Sequence, residues 1–387
     1  METLKIRNFG PVKELDIIIK PFTVFVGDQG SGKSTISKLL TILRDMRWYI
    51  QVLKETEEVM KPFIEFNISE YFQADSYISY INKKNDTKAT YQNGVFEAKI
   101  RKYSAINAIK YCQKCIQFAN LDYRQKDIAN LTPNAINEKV MRANCRMSLY
   151  IPAERNLIGN LSSALASIML AEIPLSNTLM EYMSLFEKAK KQFPQYDIPF
   201  LGVTLKRING RERIVIADNG KDLPLDACSS GLQSVIPMLM VIDYALALRF
   251  FDSFVIEEPE QNLFPRSQRE LLNFIVAKRS EFTTCILTTH SPYLLSSLNV
   301  LLLASKLNKN IDIRDRVSEV IHLDVKLDPE SVAVYGLDPN SDCYCKNLIS
   351  EKTGIISMNS LDAVSEHIGD DFNKLYSLYL QTLRQRK

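Results

Sequence analysis

The segment Gly27-Asp28-Gln29-Gly30-Ser31-Gly32-Lys33-Ser34 fits the pattern G-x-x-x-x-G-K-[ST] at every fixed position. Glycines so placed let the backbone curl until successive N–H groups point at phosphate oxygens, and a helix beginning there adds partial positive charge. Lys33 would reach the β and γ phosphates of a nucleotide, and the Ser34 hydroxyl would hold a magnesium ion. Gly27, Gly30, Ser31, Gly32 and Thr35 complete the expected contacts. The flanks suit this use, because residues 21–26 read as a buried strand and residues 35–40 as a helix.

Three further segments carry chemistry. Phe254-Val255-Ile256-Glu257-Glu258-Pro259-Glu260 is an apolar strand ending in two carboxylates. Glu257 would face the metal, and Glu258 would deprotonate an attacking water. Thr284-Cys285-Ile286-Leu287-Thr288-Thr289-His290-Ser291-Pro292 places His290 at the end of the next apolar strand, where it can contact a γ phosphate and that water. Ser229-Ser230-Gly231-Leu232-Gln233 opens a long apolar helix, so its N–H groups can bind a second phosphate, with Ser230, Gly231 and Gln233 as candidates. His322 and His367 have no such setting and read as structural.

The elements that must position these groups follow from periodicity. Apolar alternation over 4–9 and 15–19 around Gly10-Pro11 predicts two short strands feeding the strand before the loop. Residues 46–145, rich in Lys, Asn, Gln and Tyr with helical stretches such as 103–120, read as a mostly helical insertion. A strand at 147–151 runs into Pro152-Ala153-Glu154-Arg155, and a mostly helical stretch continues to about 193. Strand-like runs at 203–208 and 213–217 flank Asn209-Gly210, a hairpin signal. Helix and strand then alternate over 231–251, 253–257, 266–278, 284–288 and 292–305, which predicts a parallel sheet covered by helices. The tail adds expected strands at 318–323 and 331–335 and a closing helix from about 361.

Composition sets outer bounds. The chain has 387 residues, 46% hydrophobic and 24% charged, which suits a sizeable core. A net charge of +3 gives no strong electrostatic footprint for nucleic acid or membrane. The start lacks a basic segment followed by an apolar one, so a cytoplasmic chain is expected, with no membrane partner. The most apolar window, 235–251, is broken by Pro237, Asp243 and Arg249 and reads as a core helix. Seven scattered cysteines point to free thiols over a disulfide framework.

Phosphate loop, serine-glycine signature, double-acid strand and strand-end histidine, in that order, resemble the ATP-binding-cassette ATPases. Tyr150-Ile151-Pro152-Ala153-Glu154-Arg155, Ser229-Ser230-Gly231-Leu232-Gln233 and Glu257-Glu258-Pro259-Glu260-Gln261-Asn262-Leu263-Phe264-Pro265 are similar to the bacterial OLD, RecF and SMC-type branch; transporter subunits match less well. The resemblance implies an α/β phosphate-loop NTPase: a cassette head at 1–45 and 146–335 with an N-terminal antiparallel segment and a parallel core sheet, the insertion at 46–145, and a C-terminal extension at 336–387. It also implies ATP and Mg²⁺ as ligands and a homodimer in which Ser230 and Gly231 act on the ATP of the other copy. The chain departs from the common pattern at Glu257, where most cassette ATPases have aspartate, at Leu232 in place of a glycine, and at Phe264 where histidine is frequent.

OLD-type nucleases carry a Toprim metal site with a D-x-D pair ending a strand; Asp312-Ile313-Arg314-Asp315 is a charged loop instead. No nuclease of its own is expected, and effector chemistry falls to a separate nuclease or toxin, with DNA as a further partner. Cys112-Gln113-Lys114-Cys115 has the spacing of a zinc hook, but its flanks lack a turn residue and sustained heptads, so zinc is not expected. Two alternatives to a slow, effector-coupled ATPase stand: a non-catalytic ATP-sensing scaffold and a transporter subunit.

Overall fold

β1 (Glu2–Phe9) and β2 (Val12–Ile19) pair antiparallel across a two-residue turn, with Phe9 opposite Val12. Gly10 has φ +54, and the Tyr71 ring lies 2.5 Å from where a Cβ would stand, so neither the backbone nor the space admits a side chain. The computed structural model describes residues 1–53, 56–84, 86–100, 147–158, 175–208, 211–248, 251–278, 284–309, 312, 314–321 and 327–357. β3 (Phe22–Gly27) leads through the phosphate loop into α1 (Lys33–Arg44), followed by α2 (Met46–Leu53) and α3 (Lys61–Glu65).

Here the structure departs from the expected helical insertion. β4 (Phe72–Asn82), β5 (Thr87–Gln92) and β6 (Val95–Lys99) build onto β1, giving a five-stranded antiparallel sheet in the order β2-β1-β4-β5-β6. The cause is period-two burial, with Ile78, Tyr80, Ala89 and Tyr91 on the core face. Asn93 and Gly94, both at positive φ, turn β5 into β6 between the paired Gln92 and Val95. Residues 72–99 therefore belong to the N-terminal sheet. The expected helix at 103–120 and the Cys112/Cys115 pair lie outside the described residues.

β7 (Met147–Ile151) and α4 (Asn177–Gln192) precede a small antiparallel sheet of β8 (Gln195–Ile198), β9 (Val203–Ile208), β10 (Arg211–Ile216) and β11 (Asp222–Pro224). Asn209-Gly210 is outside the described residues, bracketed by the Ile208–Arg211 pair. α5 (Ser230–Leu248), β12 (Phe251–Glu257), α6 (Pro265–Ala277), β13 (Thr284–Thr289) and α7 (Pro292–Leu307) follow the predicted alternation. α8 (Arg314–Val320) is a helix over residues 318–320, the first half of the strand expected at 318–323. β14 (Val332–Leu337) and β15 (Cys345–Asn347) come next; the closing helix expected from about 361 and His322 and His367 lie outside the described residues.

The central sheet has the order β15-β14-β3-β13-β12-β7, parallel throughout except where β15 joins β14. The expected C-terminal extension thus contributes β15 and the end of β14 to the core sheet, with β14 directly beside β3. Alternation along these strands sorts two cores. Phe22, Val24, Val26, Phe254, Ile256, Cys285 and Leu287 face α4 to α7, while Phe25, Val255, Ile286 and Tyr150 face α1 and the N-terminal sheet. α5 is long and apolar enough to cross a membrane, yet residues 233–242 are all buried within the first of these cores.

A buried polar cluster ties the two sheets together. The Arg44 guanidinium meets the Glu2 carboxylate and donates to Thr284 Oγ1 at 2.9 Å, and Tyr80 Oη donates to Glu2 Oε1 at 2.9 Å. Removing one partner of a buried ion pair leaves a desolvated charge behind. Glu2→Ala is expected to cost about 3 kcal/mol, read as a lowered denaturation midpoint, whereas truncating the exposed Lys5–Asp16 pair is expected to leave the midpoint almost unchanged.

Candidate functional site

Strand register puts the chemical groups side by side. Thr288 on β13 is opposite Phe25 on β3 and Glu257 on β12, so the ends of all three strands open on one edge of the sheet. In parallel α/β sheets that edge is where ligands bind. The phosphate loop leaves β3, the acid pair leaves β12 and His290 leaves β13.

The loop is shaped by its glycines in two ways. At Gly27 a Cβ would stand 2.4 Å from the Leu337 carbonyl oxygen, a close approach of two backbones. Gly32 caps α1 at φ +92, in the left-handed region, with Tyr344 packed against it. Lys33 Nζ donates to the Gly27 and Asp28 carbonyls at 2.7 and 2.8 Å. Burial holds the Lys33 pKa below its ordinary value, against the opposing pull of Glu258, Asp28, Glu257 and Glu260. A buried ammonium so surrounded is poised for an anion richer in charge than carbonyls. Ser34 is exposed beside it, whereas Thr35 is buried in the first turn of α1.

Glu257 is buried and accepts a hydrogen bond from Ser37 Oγ at 2.8 Å. Desolvation raises its pKa, while hydrogen bonds from Ser37, Tyr150 and Ser34 oppose the rise. A serine hydroxyl and a carboxylate in contact are hard oxygen donors of the kind magnesium takes, so Ser34 and Glu257 fit that ion. Glu258 follows at φ +42, with its carboxylate Oε2 3.2 Å from His290 Nε2. The two form an acid–imidazole pair, partly open to solvent, a contact that the separate expectations for Glu258 and His290 did not include.

Ser230 is exposed, and among the described residues no side-chain hydrogen bond or ion pair joins it to the phosphate loop. Gly231 is buried where a Cβ would stand 2.7 Å from the Asn262 carbonyl oxygen, so it serves close packing within the chain. Gln233 departs from expectation: its Nε2 donates to the carbonyls of Asp226 and Cys228 at 3.0 and 2.8 Å, which commits the amide to the turn before α5.

Four residues outside the expected set complete the site. Ser37 sits one helical turn after Ser34, a spacing visible in the sequence. Tyr344 Oη donates to the Ser31 carbonyl at 2.6 Å from a hairpin 313 residues away, with no local signal. Glu260 accepts from Thr289 Oγ1, which also receives the Ser291 N–H at 2.9 Å and so braces the backbone around His290. Arg155 is fully buried and donates to the backbone carbonyls of Pro152, Glu257 and Glu258.

Residues 1–140 match the family model described as "AAA ATPase domain", and residues 140–296 match that described as "AAA domain, putative AbiEii toxin, Type IV TA system". The chain is an AAA-family ATPase of the ATP-binding-cassette type, with the antiparallel and parallel sheets and the motif order of that class. None of the curated proteins matches it. Similar solved structures include the SMC head domain from Thermotoga maritima, at 13% identity and TM-score 0.38 over 76% of this chain and 90% of that one. Another is an SmcHead bound to the C-winged helix domain of ScpA, at 12% identity and TM-score 0.43 over 91% and 99%. A third, an Smc head with an extended coiled coil bound to the C-terminal domain of ScpA derived from Pyrococcus furiosus, has 12% identity and TM-score 0.39 over 95% and 100%.

Both Glu257 and Glu260 have pKa values raised chiefly by burial. A carboxyl with a folded pKa above its unfolded one binds the extra proton in the native state, so its contribution to stability is full at low pH and is lost as pH rises through the folded pKa. Nucleotide-free protein is expected to lose stability across that rise, and Glu257→Gln is expected to flatten the slope; denaturant midpoints against pH check both.

Proposed function

We propose that this chain binds Mg-ATP and hydrolyses it slowly, and that ATP-dependent pairing of two copies gates a partner effector. The observation that carries the reading is the convergence of Lys33, the Ser34–Glu257 pair and the Glu258–His290 pair at the ends of β3, β12 and β13. Lys33 gives up the Gly27 and Asp28 carbonyls for phosphate oxygens. Glu258 takes the proton of the attacking water, and His290, 3.2 Å from that carboxylate, orients it toward the γ phosphate. Ser34 and Glu257 would hold magnesium, which when bound would supply charge neutralisation on the phosphates.

The exposed Ser230 at an open helix N-terminus supports head-to-tail pairing, in which Ser230 and Gly231 of one copy complete the site of the other. The family matched at 140–296, described by a toxin of a type IV toxin–antitoxin system, supports a toxin-linked setting; the effector in this reading is a nuclease or toxin, with DNA as a further ligand. Free thiols at Cys228, Cys343 and Cys345 suit the cytoplasm. A second reading, an ATP-sensing scaffold, is favoured by one observation: Glu257 stands where most cassette ATPases have aspartate, and the extra methylene alters its reach to a metal.

Lys33→Ala is expected to abolish binding of a fluorescent ATP analogue. Glu258→Gln is expected to retain binding, lower phosphate release by about a hundredfold or more, and enrich the dimer in sedimentation velocity. Wild-type release from Glu258→Gln would reject the base assignment, and release by the wild type that is lost in both Glu258→Gln and His290→Ala would reject the scaffold.

A further inference from the structure

We infer that Arg155 is a positioning residue for the base Glu258, acting on its backbone from a buried site behind the acid pair. The inference rests on the hydrolytic reading above. Glu258 stands at φ +42, in the left-handed region that an L side chain enters at a cost of about 1–2 kcal/mol. Such a conformation persists only where the surroundings over-determine it. Here both ends of the residue are held: the Glu258 N–H donates to the Thr288 carbonyl at 2.9 Å, and its own carbonyl accepts from Arg155 Nη2.

The guanidinium fits this task by shape. Nη1 donates to the Glu257 carbonyl at 2.5 Å and to the Pro152 carbonyl at 3.0 Å, so one rigid fork spans two consecutive peptides of the strand end. Arg155 has 0% exposure, and burying a cation there is costly unless its donors are engaged. Desolvation lowers its pKa, while Tyr182, Glu260, Glu258 and Glu257 favour the charged form. The left-handed turn swings the Glu258 side chain away from the path of the strand and leaves its carboxylate beside His290, whereas Glu257, one residue earlier in extended strand, stays against Ser37. Two adjacent acids thereby take two different tasks. Without the fork, the turn relaxes toward negative φ and the carboxylate leaves the imidazole.

The test is a double-mutant cycle in full-length chain, read by single-turnover phosphate release and by affinity for a fluorescent ATP analogue. Arg155→Met is expected to lower the release rate about a hundredfold, the cost of misplacing a catalytic group by about 1 Å, with ATP-analogue affinity unchanged. In the Glu258→Gln background the same substitution is expected to change the residual rate by less than about twofold. Arg155→Lys, which keeps the buried charge but lacks the fork, is expected to fall between, and it carries the same reading should the methionine variant fail to fold. Equal losses in rate and affinity, or a full further loss on top of Glu258→Gln, would overturn the positioning role while leaving the base assignment intact. Wild-type release from Glu258→Gln, or no release from the wild type, would overturn the hydrolytic reading and the proposal with it.

Discussion

Ladder hydrogen bonds set Phe25 beside Thr288 and Thr288 beside Glu257, and everything chemical in this molecule depends on that register. A slip of one residue in any of the three strands would turn its core side chains to the opposite face and carry its terminal group out of reach. The register is held by burial on both faces. Val24, Ile256 and Leu287 pack toward α5, and Phe25, Val255 and Ile286 pack toward α1, so no shifted pairing satisfies both cores. The site is therefore placed by apolar packing and aimed by polar contacts.

Many of those polar contacts are made to the backbone. Lys33 rests on two carbonyls, Arg155 on three, Tyr344 on one, and Glu258 is held by its own N–H and C=O. Side chains that grip the main chain fix where the next side chain points. Gly27 and Gly231 add the complementary constraint, since each permits two backbones to approach more closely than a Cβ allows. The turn from Glu258 to Asn262, with φ +42 and +62 at its ends, is where these restraints meet. Its Asn262 carbonyl lies against Gly231 in the first turn of α5, so Glu258 and the start of that helix share one tightly packed turn.

Groups lying close together along the chain were legible in the sequence. The phosphate loop, the acid pair and the strand-end histidine each depend on a local run of residue types, and the alternation after residue 230 predicted the parallel strands. Partners far apart were not legible. Arg155 reaches carbonyls 102 and 103 residues away, and Tyr344 reaches a carbonyl 313 residues away. A carbonyl acceptor leaves no mark of residue type. The strands β4 to β6 did carry a signal in Asn93-Gly94, but their polar outer faces masked the alternation of Ile78, Tyr80, Ala89 and Tyr91. β14 was visible as a strand, while its place beside β3 is a property of topology.

The direct measurement is a structure of the full chain carrying Glu258→Gln, determined with magnesium and ATP. Lys33 Nζ is predicted to have left the Gly27 and Asp28 carbonyls for phosphate oxygens, with the metal between Ser34 Oγ and Glu257, and the amide introduced at position 258 is expected to face the γ phosphate. A nucleotide bound elsewhere, with Lys33 still on those two carbonyls, would contradict the assignment of this strand edge as the site.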